Sequence, residues 1–218
     1  MQVTVLGAGY MGSAMACVAR DRGHEVRLWG TWLDDAMLEP CERGDSHPRL
    51  KLPLHGIALY RSPRLDESLA GADLVVLAAN SDGAVSVITK ASTHLPPVPL
   101  LSVTKGLLAS PMTHRMERLD VVLAEHLGRP LRFVHAGGPA KAMEVARRVP
   151  TWMHFAGAGY DAAVCARALG GGALAIGTSE DLAGAELCSA LKNAYATGLG
   201  LWDGHIGVNA HNARAAWF

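Results

Sequence analysis

Charge is scarce in this sequence. Only 18% of its 218 residues are charged, and 20 basic residues offset 20 acidic ones. With no net charge and no long Lys/Arg run, there is no broad basic field to hold a polyanion, so nucleic acid is not an expected partner. Cysteine is sparse and scattered. Cys17, Cys41, Cys165 and Cys188 form no CxxC pair, which reads as free thiols in a reducing compartment. The ten histidines contain no HExxH pattern, and His205 and His211 lie six apart, a poor spacing for one helical face. No metal is expected. No apolar run reaches about 18 residues free of charges and turn formers, so no membrane span is expected. Met1 leads at once into a strand-like segment, without a charged leader or a small-residue cleavage site, so a cytoplasmic location is expected.

What is present is apolar surface and glycine. Half of the residues are hydrophobic and 24 are Gly. A chain of this size can bury roughly 70% of its unfolded surface, and the composition suits a compact α/β protein rather than a disordered one. Apolar runs alternate with helical patterns. Strands are predicted at Gln2–Leu6, Glu25–Trp29, Ile57–Tyr60, Asp73–Ala79, Val98–Val103, Leu131–His135, Thr151–Phe155 and Ala173–Ile176. Helices are predicted at Gly12–Arg22, Asp34–Arg43, Asp66–Ala70, from the cap-rich Asn80-Ser81-Asp82-Gly83 to Lys90, and at Thr113–Leu127, Pro139–Arg148 and Asp161–Leu169. This rhythm predicts a Rossmann-like α/β fold with a doubly wound, mostly parallel sheet. It stops near Ser179, and the pattern is helical from there to Phe218. Residues 1–178 therefore read as a dinucleotide-binding domain, and 179–218 as the first helices of an all-α domain.

Residues 3–12 read VTVLGAGYMG. Gly7, Gly9 and Gly12 form GxGxxG after a strand and at the opening of a helix. Gly7 permits the tight turn, Gly9 lets the backbone approach a pyrophosphate, and Gly12 lets helix and strand pack closely. The helix N-terminus then offers free N–H groups to the phosphates. The second strand ends Leu28-Trp29-Gly30-Thr31, with neither acid nor Arg at its tip. Asp34 and Asp35 come slightly late for a ribose hydroxyl, and Arg43 and Arg49 are within reach of a 2′-phosphate, so NAD and NADP both stay open.

Lys105 follows a predicted strand, at the edge where open α/β sheets bind ligands; by position alone it reads equally well as a solvated loop lysine. The loop His135-Ala136-Gly137-Gly138-Pro139-Ala140 likewise offers backbone N–H groups or simply a tight turn. Lys192 is the only charged residue between Leu187 and Trp202, and shares a helical face with Cys188, Ser189, Tyr195 and Ala196. Such a lysine is expected to be desolvated, which lowers its pKa and suits it to exchange a proton with an alkoxide. The competing reading is a structural lysine paired with Glu186 or Glu144, or one that snorkels to solvent.

The chain resembles NAD(P)-dependent glycerol-3-phosphate dehydrogenase, in particular the archaeal-type members. The resemblance rests on VLGAGYMGSA at 5–14, HEVRLWGT at 24–31, HPRL at 47–50, SVTKG at 102–106, GGPAKAMEVARRVPT at 137–151 and GAELCSALKNAYATG at 184–198. It implies reversible hydride transfer between NAD or NADP and the C2 carbonyl of dihydroxyacetone phosphate, a small-molecule phosphate substrate. It further implies that Lys192 is the proton donor and acceptor and that Lys105 binds substrate and polarises the C2 oxygen. Asn193 would orient substrate or nicotinamide, and Gly138 would contact substrate through its backbone. Ala140 stands where many members have Ser or Thr. Tyr10 and Met11 would flank the pyrophosphate, with Thr31, Ser81, Lys105 and Ala142 along the cofactor's path. Family members run longer, and their helical domain contributes an Asp and an Arg-Asn pair that grips the phosphate. This chain ends at Arg214-Ala215-Ala216-Trp217-Phe218, before such residues, so impaired activity is expected unless a homodimer or a complementing chain completes the site. Two alternatives stand: a non-catalytic dinucleotide-binding fragment or half of a split enzyme, and a related reductase of the ketopantoate or β-hydroxyacid type.

Overall fold

A computed structural model describes residues 1–206. The chain begins β1 (Gln2–Leu6), α1 (Tyr10–Asp21), β2 (Glu25–Trp29), α2 (Asp35–Glu42) and β3 (Ala58–Tyr60). A single 3₁₀ turn leads into α3 (Leu65–Leu69), then β4 (Leu74–Leu77), α4 (Ser81–Ala91) and β5 (Leu100–Ser102). Next come β6 (Leu107–Ala109), β7 (Met116–Arg118), α5 (Leu119–Leu127), β8 (Phe133–Gly137) and α6 (Ala142–Ala146). The described part ends with β9 (Thr151–Gly157), α7 (Gly159–Leu169), β10 (Leu174–Ser179) and α8 (Leu182–Ile206).

Eight strands form one sheet in the order β10-β9-β8-β5-β4-β1-β2-β3. Every neighbouring pair from β3 across to β8 is parallel. β9 runs antiparallel to β8, and β10 parallel to β9. This is the mostly parallel, Rossmann-like sheet that the sequence predicts. The chain winds outward from β1 to β3 and then returns to place β4 on the other flank of β1, so the order reverses between β1 and β4. A crevice opens at the carboxyl ends of strands at such a switch point.

Alternate residues of the strands feed two cores, one on each face. Val3, Val5, Leu28, Val76, Leu101 and Phe155 pack with Met15 and Ala19 of α1 on one side. Leu6, Trp29, Val75, Leu77 and Leu100 pack with Val87 and Ile88 of α4 and Leu119 and Leu123 of α5 on the other. All four residues of β4 are buried, as expected of a strand covered on both faces.

Two predicted helices are shorter than expected. The helix predicted over Thr113–Leu127 begins only at Leu119, and β6 and β7 before it form an antiparallel hairpin. The Ser110 hydroxyl oxygen accepts the N–H groups of Met112 and Thr113, and His114 takes φ 57°, so local side-chain and backbone chemistry favours a turn. The helix predicted from Pro139 starts at Ala142, because Gly138 is at φ 125° and Lys141 is extended. Of the stretch 179–218 read as helical, Ser179 still belongs to β10 and α8 runs Leu182–Ile206; Trp217, Phe218 and the rest of that stretch, His211 among them, lie outside the described residues. Among the described residues no helix is long and apolar enough to cross a membrane.

Phe155 is fully buried in β9. Phe155→Ala should lower stability by about 3–5 kcal/mol, the range for truncating a core aromatic, read from urea unfolding midpoints.

Candidate functional site

The glycine loop sits at the switch point. Gly7 is at φ +109°, and a Cβ there would meet the Ala78 carbonyl oxygen at 2.8 Å. A Cβ on Gly12 would overlap the Gly7 carbonyl oxygen. Both positions need glycine so that α1 can press onto the ends of β1 and β4. Gly9, the residue before α1, differs: among the described residues nothing lies within 4 Å of where its Cβ would point. The first turn of α1 carries no acid and no side-chain cap, so neither takes up its N-terminal amides. Tyr10 is exposed and Met11 half-buried on that turn.

The middle of the loop is clamped on both sides. The Ala8 N–H donates to Asp34 Oδ2 at 3.1 Å, an atom that also accepts the Thr31 N–H at 3.0 Å and the Thr31 hydroxyl at 2.9 Å. The Ala8 carbonyl oxygen pairs with His47 Nε2 at 2.9 Å. The Arg49 and Leu50 amides donate to Nδ1 of the same ring. Nδ1 is therefore the acceptor and Nε2 carries the proton. Burial, more than any neighbour, pushes the His47 pKa down and keeps the ring neutral. Asp35 is also engaged, accepting the Ser62 amide and hydroxyl.

A cleft of about 300 Å³ opens beside the loop, lined by Gly7, Gly9, Thr31, Trp32, Asp34, Arg49, Asn80 and Gly83 among others. The Arg49 guanidinium lies 5.6 Å from the centre of the Tyr10 ring, and the Lys90 ammonium 4.7 Å from that of Trp32. Arg43 instead pairs with Glu39 and Asp45 at the surface. Asn80 caps α4 by accepting the Gly83 N–H at 2.7 Å. Ser81 opens α4 and lies against Gly106, so the start of α4 borders both the cleft and the Lys105 loop.

Lys105 is held from the end of β5. The Thr104 hydroxyl donates to the Ala79 carbonyl at 2.8 Å, and the Thr104 N–H to Ser102 Oγ at 3.2 Å. Burial, and then the adjacent Lys192 ammonium, push the Lys105 pKa down to about 8. The two lysines are thus neighbours, brought together from β5 and α8. The expected desolvation falls on the wrong member of the pair. Lys192 is exposed, as is every residue from Leu191 to Thr197, because an apolar helix face is desolvated only where another element covers it. Nor does Lys192 pair with Glu144 or Glu186, which lie instead against Lys141 and Arg118. Asn193 is exposed beside Lys192.

The glycine–proline loop lies next to α8. His135 Nε2 is 2.7 Å from Ser189 Oγ, and His135 is 1% exposed. Burial first, then the Lys105 charge, push its pKa down to about 4. A Cβ on Gly137 would stand 2.9 Å from Ser189 Oγ, and one on Gly138, at φ +125°, 3.0 Å from the Trp152 carbonyl oxygen. Ala140 is buried in the core, and Ala142 packs against it half-buried. Further up α8, buried Glu186 accepts the Asp120 N–H at 3.3 Å and lies 3.3 Å from Arg118 Nε. Burial first, then the Asp120 carboxylate, push the Glu186 pKa up to about 8.

The sequence model of the family described as NAD-dependent glycerol-3-phosphate dehydrogenase N-terminus matches residues 2–163. The chain belongs to this family. It is 33% identical over 201 residues to an NADP(+)-dependent glycerol-3-phosphate dehydrogenase of Archaeoglobus fulgidus, covering 89% of this chain and 58% of that protein. It is 35% identical to a glycerol-3-phosphate dehydrogenase [NAD(P)+] of Myxococcus xanthus, covering 99% of this chain and 64% of the relative. The crystal structure of glycerol-3-phosphate dehydrogenase from Coxiella burnetii superposes with a TM-score of 0.80 at 27% identity, over 99% of this chain and 64% of that one. The chain thus spans about three fifths of the length of the relatives it matches.

Within this family fold, Gly7, Gly9 and Thr31 line one cleft, and Lys105 and Lys192 stand together. Ala140 and Ala142 face the core instead. The clamp by Asp34 and His47, the His135–Ser189 bond and the Glu186 cluster escaped the sequence reading. Each joins residues far apart in the chain, and only the unusual polar letters within apolar blocks marked them.

Glu186 holds a proton in the fold at pH values where an unfolded glutamate has lost it. Stability from this group is full below the unfolded value and is lost as pH rises toward about 8. Glu186→Gln should therefore gain stability relative to the parent as pH rises from 5 to 8, in urea titrations at several pH values.

Proposed function

We propose that this chain provides the dinucleotide site and the two reactive lysines of an NADP-preferring glycerol-3-phosphate dehydrogenase. On this reading, residues 1–178 hold the dinucleotide, and 179 onward opens the helical substrate unit. The juxtaposition of Lys105 and Lys192 carries the proposal, with the start of α4 bordering both the Lys105 loop and the glycine-loop cleft. Two ammonium groups side by side favour an anionic ligand, and family membership supports dihydroxyacetone phosphate as the substrate.

The loop suits a dinucleotide. Gly9 leaves open space for a close approach, and the α1 amides supply donors and partial positive charge to a pyrophosphate. Arg49 lines the cleft, whereas Asp34 and Asp35 are already engaged within the protein. That balance favours a 2′-phosphate over a bare ribose hydroxyl. Tyr10, Met11 and Ser81 border its path. When bound, the nicotinamide supplies or accepts the hydride. Lys105, positioned by Thr104, binds substrate and polarises the C2 oxygen. Lys192 gives that oxygen a proton in reduction and removes it in oxidation, with Asn193 and the Gly138 backbone orienting the substrate.

Calorimetric titration with NADPH and NADH, with and without dihydroxyacetone phosphate, tests this. NADPH should bind more tightly, and Arg49→Ala should erase most of the difference. Gly9→Val should abolish binding of both while leaving the unfolding midpoint in place. Lys192→Ala should keep dinucleotide binding and lose hydride transfer, followed by nicotinamide absorbance. A folded chain that binds neither dinucleotide would refute the proposal, and a clear preference for a ketopantoate-like carboxylate would refute the substrate.

A further inference from the structure

We infer that His135 and Ser189 are a positioning pair that sets how closely Lys192 approaches Lys105. The inference rests on reading the two lysines as the reactive pair, but its geometry is independent of any substrate.

α8 carries Lys192 on a stretch that is exposed from Leu191 to Thr197. The placement of this lysine is therefore decided upstream, where the helix meets the sheet. Ser189, 8% exposed, is the last buried residue of α8 before Lys192, three positions earlier. At 1.5 Å of rise per residue, that is less than one helical turn, so a shift at Ser189 carries directly to Lys192. Its hydroxyl is 2.7 Å from His135 Nε2.

The other half of the linkage runs through the sheet. His135 of β8 is in register with Ser102 of β5. Ser102 is itself three residues before Lys105, and its Oγ accepts the Thr104 N–H. A closed path therefore joins the lysines: Lys105 to Ser102 along the chain, Ser102 to His135 across the ladder, His135 to Ser189 by hydrogen bond, and Ser189 to Lys192 along the helix. The hydrogen bond is its only link that a side-chain substitution can cut.

The seat is built for this contact. Gly137 leaves room for Ser189 Oγ, which a Cβ there would crowd at 2.9 Å. Among the described residues His135 Nδ1 is buried with no hydrogen-bond partner, so within them the ring relies on Ser189. Its charged neighbours are Lys105 and Asp120, and it stays neutral through the range in which Lys105 titrates. The bond therefore persists across that range, in whichever direction the proton points.

The test reads Lys105 in the ligand-free chain, by acetylation with acetic anhydride from pH 7 to 10.5 and mass spectrometry of the Lys105 peptide. In the parent, Lys192→Met should raise the Lys105 titration, because a neighbouring cation is removed. Ser189→Ala should also raise it, by about one unit, or roughly a fivefold loss of free amine at pH 8. In the Ser189→Ala background Lys192→Met should then add little, since the lysines have already parted. Ser189→Thr, which keeps the hydroxyl, should restore the parent curve. His135→Leu serves as a second break should Ser189→Ala fail to fold. Equal effects of Lys192→Met in the parent and in a folded break variant would overturn the inference. Failure of the dehydrogenase reading would appear instead as absent dinucleotide binding, which this assay does not use.

Discussion

The backbone contact at the end of β1 governs what the rest of the molecule can do. Gly12 must come so near the Gly7 carbonyl oxygen that no side chain fits between them, and Gly7 must likewise lie close against Ala78, just past the end of β4. These approaches bring α1, β1 and β4 together at the one place where the sheet order reverses. The crevice, the uncapped N-terminal amides of α1 and the open space at Gly9 follow from that packing. Asp34 and His47 then fix the middle of the turn by taking both the N–H and the carbonyl of buried Ala8. A loop held in this way loses little further freedom when a ligand arrives, which is the physical content of preorganisation.

Around α8 the constraint is polar rather than steric. Glu186, Ser189 and Lys192 lie at successive three-residue steps and meet the β7–α5 junction, β8 and the β5 loop respectively. Buried polar contacts specify position because misalignment leaves a donor or acceptor unpaired out of reach of water. Apolar packing of the same helix tolerates small slides far better. A helix that must deliver one ammonium beside another thus gains precision from Glu186 and Ser189, even though their burial adds little net stability.

The sequence disclosed much of this, and its failures share one cause. The glycine loop was legible because its spacing is dictated by backbone geometry within a few residues. β4 was legible because four consecutive apolar residues admit few other readings. The β6–β7 hairpin was not, since the turn held by Ser110 and His114 overrides a helical pattern with no periodic flaw. The identity of Lys105 and Lys192 as a pair followed from family resemblance, but the division of burial between them did not. Periodicity describes which residues share a face, whereas desolvation depends on what covers that face.

That division bears on the chemistry of the pair. Two like charges in contact are unfavourable, and the half-buried member feels this most, because solvent screens it least. Lys105 therefore gives up its proton more readily, while exposed Lys192 remains hydrated. On the proposed reading an anionic substrate removes the conflict: its phosphate supplies the missing counter-charge, and its polarised carbonyl turns into an alkoxide that needs a cation beside it. The unfavourable arrangement in the ligand-free chain then becomes favourable as charge develops on the C2 oxygen. Interactions that strengthen only along the reaction are those that lower its barrier.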